Sequence, residues 1–257
     1  MILYTNPSSY YSMIGRYALL EAGITFETKR MDIHFAKDQL SPWYIAINPA
    51  MTVPALTNGT QSFINSRDIL KFAATTASDK WLDADATCLP HIEQIIQAHY
   101  LIPIERLTFG KAMVKIAPLR FIFPRILGKV IRKLEADATH SANPSAIQAK
   151  IGLERIRIAY FTEGNRLDKL NIERERVKQF IKELPDPSLF LFGDKPSSAD
   201  ILTVILFARL QMIGEYHLVS ATSKALVNWF LQMKTRPTYK AADIWTHFQP
   251  WRLMLKR

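Results

Sequence analysis

Three short stretches near the N-terminus carry side chains that could do chemistry. Ser8, Ser9 and Ser12 stand between a strand-like Ile2-Leu3-Tyr4 and a helical stretch. The start of a helix offers free N–H groups and a partial positive charge, so an anion placed there is stabilised. The plainer role is a helix cap, for which serine alone suffices. Val53-Pro54 opens a strand, where proline removes a ladder donor and belongs at an edge or a special turn. A cis bond there would turn the Val53 backbone outward to pair with a bound peptide. Asn65-Ser66 begins another helix; it is a cap, and it can also hold a carboxylate against the backbone amides. Other chemistries find no support. The six histidines show no metal-ligand spacing, there is no CxxC around the single Cys88, and no glycine-rich phosphate loop.

The elements that must position these residues follow from periodicity. Residues 12–22 read as a helix with Ile14, Tyr17, Ala18 and Leu20 on its apolar face, and Gly23 stands where a terminating glycine belongs. Thr25 to Arg30 is a second strand, followed by a short polar helix ending near Ile47. Val53 to Thr57 and Gln61 to Ile64 are strands, and Asn58-Gly59 predicts a tight hairpin turn between them. Ser66 to Ala77 closes the unit. The order βαβ, helix, ββα makes one mixed sheet with a parallel crossover and a terminal hairpin. After Asp79 the strand signals stop and helical periodicity runs from Leu89 onward. The boundary is expected at Ser78–Ala86, giving domains at 1–80 and 87–257. Asn143-Pro144-Ser145 restarts a helix, and Ser197 opens another after a loop over Leu184 to Pro196. Ser197 and Asp200 have capping-box spacing.

Bulk properties narrow the class. The chain has 257 residues, 48% hydrophobic, with net charge +10. No apolar run reaches the roughly 18 residues needed to span a bilayer; the best, Ile201 to Ala208, is far shorter. The start lacks the pattern of a signal peptide, and one cysteine suits a reducing compartment, so the expected location is the cytoplasm. The positive charge is local. Eight basic residues and no acidic ones lie between Arg106 and Lys133, which leaves the rest of the chain close to neutral. Pro103, Pro118 and Pro124 predict that this segment is kinked or broken. Three uses are open: a helical hairpin with its cations in water and its apolar side in the core, a contact with anionic membranes, or cations that attract an acidic substrate. Nothing resembles a nucleic-acid reading motif, and no nucleic-acid partner is expected.

Taken in order, these segments resemble the glutathione transferases. Ser8-Ser9-Tyr10-Tyr11-Ser12 followed by Arg16 to Ile24 looks like the active-site loop and first helix of the serine- and cysteine-using classes, in a bacterial-like form. Ala46-Ile47-Asn48-Pro49 with Val53-Pro54-Ala55-Leu56, and Ile64-Asn65-Ser66 with Ile69, are similar to two further family signatures. So are Phe192 to Ile201 and Trp229 with Met233 to Pro237 in the helical half. The resemblance implies an N-terminal thioredoxin-like domain followed by an all-helical bundle domain, and a glutathione-dependent attack on a hydrophobic electrophile. It implies that Val53, presented by Pro54, pairs with the glutathione backbone. Ser66, with Asn65, would hold the γ-glutamyl carboxylate, and Gln39 or Thr52 would help at the glycine end. Ser9 would activate the thiol, with Ser12 and Tyr4 in reserve. It also implies a homodimer active in detoxification, with no metal. The family usually has an acid or Gln at position 65 and often Lys at position 52, so both departures weaken the grip on glutathione. Residues 103–140 are longer than usual, as in the tetrachlorohydroquinone dehalogenase-like and ganglioside-induced differentiation-associated protein-like groups. The alternative function is a binding or interaction protein on the same scaffold.

Overall fold

The computed structural model describes residues 1–77, 82–83, 85–139 and 141–254. Its first part is a four-stranded sheet ordered β2-β1-β3-β4, built from β1 (Ile2–Thr5), β2 (Glu27–Arg30), β3 (Ala55–Thr57) and β4 (Ser62–Phe63). β1 runs parallel to β2 and antiparallel to β3, which pairs antiparallel with β4. Successive β1 side chains point to opposite faces. Leu3 joins the main core, whereas Tyr4 packs with Met31, Tyr44, Val53 and Ala55 on the other face. On the Leu3 face lie α1 (Tyr10–Glu21) and α3 (Ser66–Thr76), which pack together; α2 (Pro42–Ile47) follows a 3-10 turn at Asp38–Leu40. The parallel crossover, the mixed sheet and the helices make this part thioredoxin-like.

Local chemistry sets the ends of these elements. α1 begins earlier than its periodicity suggests because Ser9 caps it, accepting from Ser12 N at 3.3 Å. It stops at Gly23, whose φ of +70° lets Ile24 N donate back to Leu19 O at 2.9 Å. The hairpin differs from expectation. Only Gly59 has positive φ, and Asn58 instead accepts from Thr60 N and Gln61 N through its side chain, so β3 and β4 are joined by the four-residue loop 58–61. The expected boundary at Ser78–Ala86 falls partly on residues 78–81 and 84, which lie outside the described residues.

The remainder is helical: α4 (Leu89–Tyr100), α5 (Ile104–Lys115), α6 (Leu119–Ala138), α7 (Pro144–Thr162), α8 (Arg166–Glu183), α9 (Ser198–Ile213), α10 (His217–Ser220), α11 (Lys224–Met233), α12 (Pro237–Ala241) and α13 (Pro250–Met254). α9 is apolar all round and buried from Ser198 to Leu210, so it forms the centre against which α1, α4 and α11 pack. Its start is a complete capping box: Ser197 Oγ accepts from Asp200 N while Asp200 Oδ2 accepts from Ser197 N at 2.8 Å. The basic segment is broken at Ile116–Pro118 into α5, packed on α8, and α6, packed on α7. Pro124 does not break α6. It sits early in the helix, and the carbonyl it leaves without a partner, that of Arg120, is at the exposed end. The α6–α7 hairpin lays Ile131, Leu134, Ile147 and Ile151 onto Leu40, Ile45 and Met51, fastening the long segment to the edge of the sheet domain.

Candidate functional site

The loop Asn6-Pro7-Ser8-Ser9 between β1 and α1 is fixed by its own side chains. Asn6 Nδ2 donates to Met31 O at 2.8 Å, which turns its Oδ1 toward the loop. That oxygen accepts from Ser8 N at 3.0 Å and from Ser8 Oγ at 2.8 Å. The Ser8 hydroxyl hydrogen is thereby spent, so the 2.9 Å contact between Ser8 Oγ and His34 Nε2 is a donation from the imidazole. Burial lowers the His34 pKa, and Lys37 adds to this, so the ring is neutral and donates through this one nitrogen. Ser9 is different. Its Oγ accepts from Ser12 N, and among the described residues its own hydrogen has no acceptor. The adjacent Tyr10 and Tyr11 amides, first in α1, also lack partners among the described residues. The start of α1 therefore presents one free O–H and two free N–H groups, a set suited to a thiolate.

Two buried guanidinium groups sit behind this loop. Arg16 donates to Asn6 O at 3.2 Å and Pro7 O at 3.3 Å, and reaches Ala242 O and Asp243 O in the helical half. Arg209 of α9 donates to Ser8 O at 2.8 Å and lies over the Tyr10 ring. Three consecutive loop carbonyls are thus held by two cations. Burial lowers the Arg209 pKa to about 10, so it remains charged at neutral pH. It has no carboxylate partner among the described residues, and its Nε is unbonded. Sequence reasoning missed Arg209, although a charged residue ending the apolar run Ile201–Ala208 was a usable signal.

The other expected contacts converge on α1. The Val53–Pro54 peptide is cis. A Cβ on Gly15 of α1 would lie 3.4 Å from the Pro54 ring and 3.6 Å from Ile69, so the proline turn, α1 and α3 meet at one glycine. The preceding loop is tied down by Tyr44 Oη and Asn48 Nδ2, which donate to Thr52 O at 2.6 and 2.8 Å. The Val53 backbone N–H and C=O have no partner among the described residues and remain open for an added strand. Asn65, not Ser66, is the cap of α3: its Oδ1 accepts from Asp68 N and its amide donates to Asp68 Oδ2. Ser66 Oγ instead bonds Tyr100 Oη of α4 at 2.9 Å, and Tyr100 stacks on Tyr11. Tyr100 carried no sequence signal, because its role depends on a helix from the other half meeting α3.

The remaining expected residues fare unequally. Gln39 precedes Leu40, which packs against the α6–α7 hairpin, and its buried Oε1 has no partner among the described residues. Thr52 is exposed, and its hydroxyl accepts from Asn48. Ser12 is fully buried and accepts from Asn6 N, so it supports the loop from beneath. Tyr4 belongs to the opposite face of the sheet, against Trp43 and Tyr44, away from the start of α1.

Residues 3–81 match the glutathione S-transferase N-terminal domain family. Over nearly the full length of both chains, the sequence is 25% identical to a tetrachloro-p-hydroquinone reductive dehalogenase of Sphingobium chlorophenolicum, covering 94% of this chain and 95% of that one. It is 24% identical to the glutathione S-transferase TCHQD of Arabidopsis thaliana, over 98% and 92% of the two chains. Its fold is similar to that of a glutathione transferase family member from Pseudomonas fluorescens determined with two glutathione molecules bound, with a TM-score of 0.63, 14% identity, and 95% and 92% of the chains covered. It is likewise similar to a delta-class enzyme of Nilaparvata lugens, with a TM-score of 0.60, 17% identity, and 94% and 92% covered. Residues 3–81 therefore carry the glutathione S-transferase N-terminal domain, and over nearly its whole length the chain is similar in sequence and fold to glutathione transferases.

Proposed function

We propose that the protein is a glutathione-dependent transferase whose thiol-activating group is Ser9. The observation that carries this reading is the unspent Ser9 hydroxyl beside the free Tyr10 and Tyr11 amides, on the helix that also touches the cis-proline turn. Glutathione then lies as an added strand on Val53, with its γ-glutamyl end at Ser66 and Tyr100 and its glycine end toward Gln39 and Thr52. A free thiol has a pKa of about 8.5, and each unit of depression requires about 1.4 kcal/mol of preference for the thiolate. One hydroxyl donor, two amides and the helix start supply that preference, and the thiolate is the nucleophile. The second substrate is a hydrophobic electrophile, and the name of the dehalogenase relative points to aryl halides as the first class to try. The reading extends to a homodimer acting in the cytoplasm in detoxification, made of a thioredoxin-like domain over 1–80 and a helical domain over 87–257.

Ser9→Ala is expected to lower turnover of an aryl halide by about 10- to 100-fold, the loss of one charge-assisted hydrogen bond, with glutathione affinity nearly unchanged. Full activity in Ser9→Ala together with its loss in Tyr11→Phe would transfer the role to Tyr11. A second reading, a binding protein without turnover, is favoured by the engagement of Ser66 with Tyr100 and by Thr52 in place of a cation. Retention on glutathione resin with no turnover of any electrophile would support it.

A further inference from the structure

The corner where α5 meets α6 combines two properties seldom found together on a surface without a partner. Val114, Ile116, Phe121, Ile122 and Ile126 are 41–54% exposed, so the hairpin does not bury all of its apolar side chains. Interleaved with them are Lys115, Arg120, Arg125, Lys129 and Arg132, all exposed and none paired with a carboxylate among the described residues. Other cations of the segment are occupied: Lys111 lies 2.5 Å from buried Glu215, Arg106 stacks on Tyr160 near Glu173, and Lys133 pairs with Asp137. The apolar exposure is not a loose end of the chain. Phe109, Phe123 and Phe161 interlock at ring separations of 4.5 and 5.1 Å and hold α5, α6 and α7 together beneath the corner. A groove of about 510 Å³ continues the surface past Val114 and Arg120 to Arg166 and the exposed Leu167.

We propose that this corner docks the protein on an anionic phospholipid membrane. Apolar side chains enter the headgroup boundary while the flanking cations meet the lipid phosphates, and the two contributions add. The charge pattern selects this occupant over a second copy of the chain. A two-fold contact through the same face would set five unpaired cations against their own images. The aliphatic face selects it over nucleic acid, which offers nothing to Ile116, Ile122 or Ile126. The consequence for the proposed chemistry is location, since apolar electrophiles concentrate in the bilayer.

The test is co-sedimentation of the full chain with vesicles of phosphatidylcholine alone or mixed with phosphatidylglycerol. Binding is expected only to the anionic vesicles, and high salt should release it. The variant Lys115→Gln, Arg120→Gln, Arg125→Gln, Lys129→Gln should lower the partition coefficient on the order of a thousandfold. Phe121→Ser with Ile122→Ser should also weaken it while aryl-halide turnover in solution is unchanged. These side chains are exposed, and an unaltered melting temperature for each variant confirms that folding is not the cause. Equal recovery in the supernatant with both vesicle types would overturn the proposal. So would binding that survives the four glutamines, or self-association abolished by the serine pair with no lipid binding in either protein.

Discussion

Ser8 and Ser9 are adjacent and chemically identical, yet only one has a hydrogen to give. The difference comes from Asn6, whose amide is oriented by Met31 O and so consumes the Ser8 hydroxyl. The sequence offers Ser9 only through a resemblance; what separates it from Ser8 was not legible, because it depends on a side chain and a carbonyl brought together by the β1–β2 pairing. Arg209 is a stronger case of the same kind. It is a buried cation with no counter-ion among the described residues, which is costly, and it is held against the Ser8 carbonyl next to Ser9, where the proposed reading puts the thiol. Arg209→Met is expected to raise the pKa of bound glutathione by about one unit, the effect of one nearby charge across a partly desolvated gap. The rise would appear in the pH profile of kcat/KM and in the ultraviolet band of the thiolate. Arg209→Lys should keep most of the acidity. If both variants lose affinity for glutathione while the pH midpoint stays in place, Arg209 only staples the loop.

Elements were legible where a local rule decides them and illegible where packing overrides it. The α9 box could be read from Ser197 and Asp200 because it is self-contained, and Gly23 because positive φ selects glycine. The course of α6 through Pro124, and the exposed apolar face beside it, could not be read, since periodicity does not say which stripe finds a neighbour. The α9 cap also allows a graded prediction. Asp200 accepts from Leu191 N, Ser197 N and Ser197 Oγ, at 2.6 to 2.8 Å, whereas Ser197 Oγ takes one longer bond from Asp200 N. Ser197→Ala should therefore cost about 1–2 kcal/mol, the usual value of a cap. Asp200→Ala should cost about 3–5 kcal/mol, because it leaves two buried amides unpaired. Urea denaturation giving equal losses for the two variants would show that the serine, rather than the carboxylate, organises the Leu191–Ser197 loop.

At the scale of the whole molecule, the two halves are joined by polar side chains that reach across a largely apolar seam. Arg236 grips Glu21 of α1 through two bonds of 2.9 and 2.7 Å, Arg16 reaches Ala242 and Asp243, and Tyr10 meets His99 of α4. None of these pairings has a sequence spacing that would reveal it, since each links residues 89 or more positions apart. His99 makes the seam sensitive to acid. It is buried between Tyr10 and Phe180, its Nε2 lies 3.0 Å from Tyr10 Oη, and its Nδ1 has no partner among the described residues. A protonated ring would carry two N–H groups with one partner between them, and burial depresses its pKa to about 3. The unfolded chain takes up this proton near pH 6.5 and the folded chain does not. His99 therefore leaves stability intact above pH 6.5 and erodes it as pH falls from there toward 3, by about 1.4 kcal/mol per unit. His99→Gln keeps a hydrogen-bonding group toward Tyr10 but cannot titrate. Whatever its stability at pH 7.5, the variant should lose about 2 kcal/mol less than the wild type between pH 7.5 and 5, measured by urea unfolding at each pH. Parallel pH profiles for the two proteins would mean that the imidazole charges without cost, and that the seam opens to water around His99 before the chain unfolds.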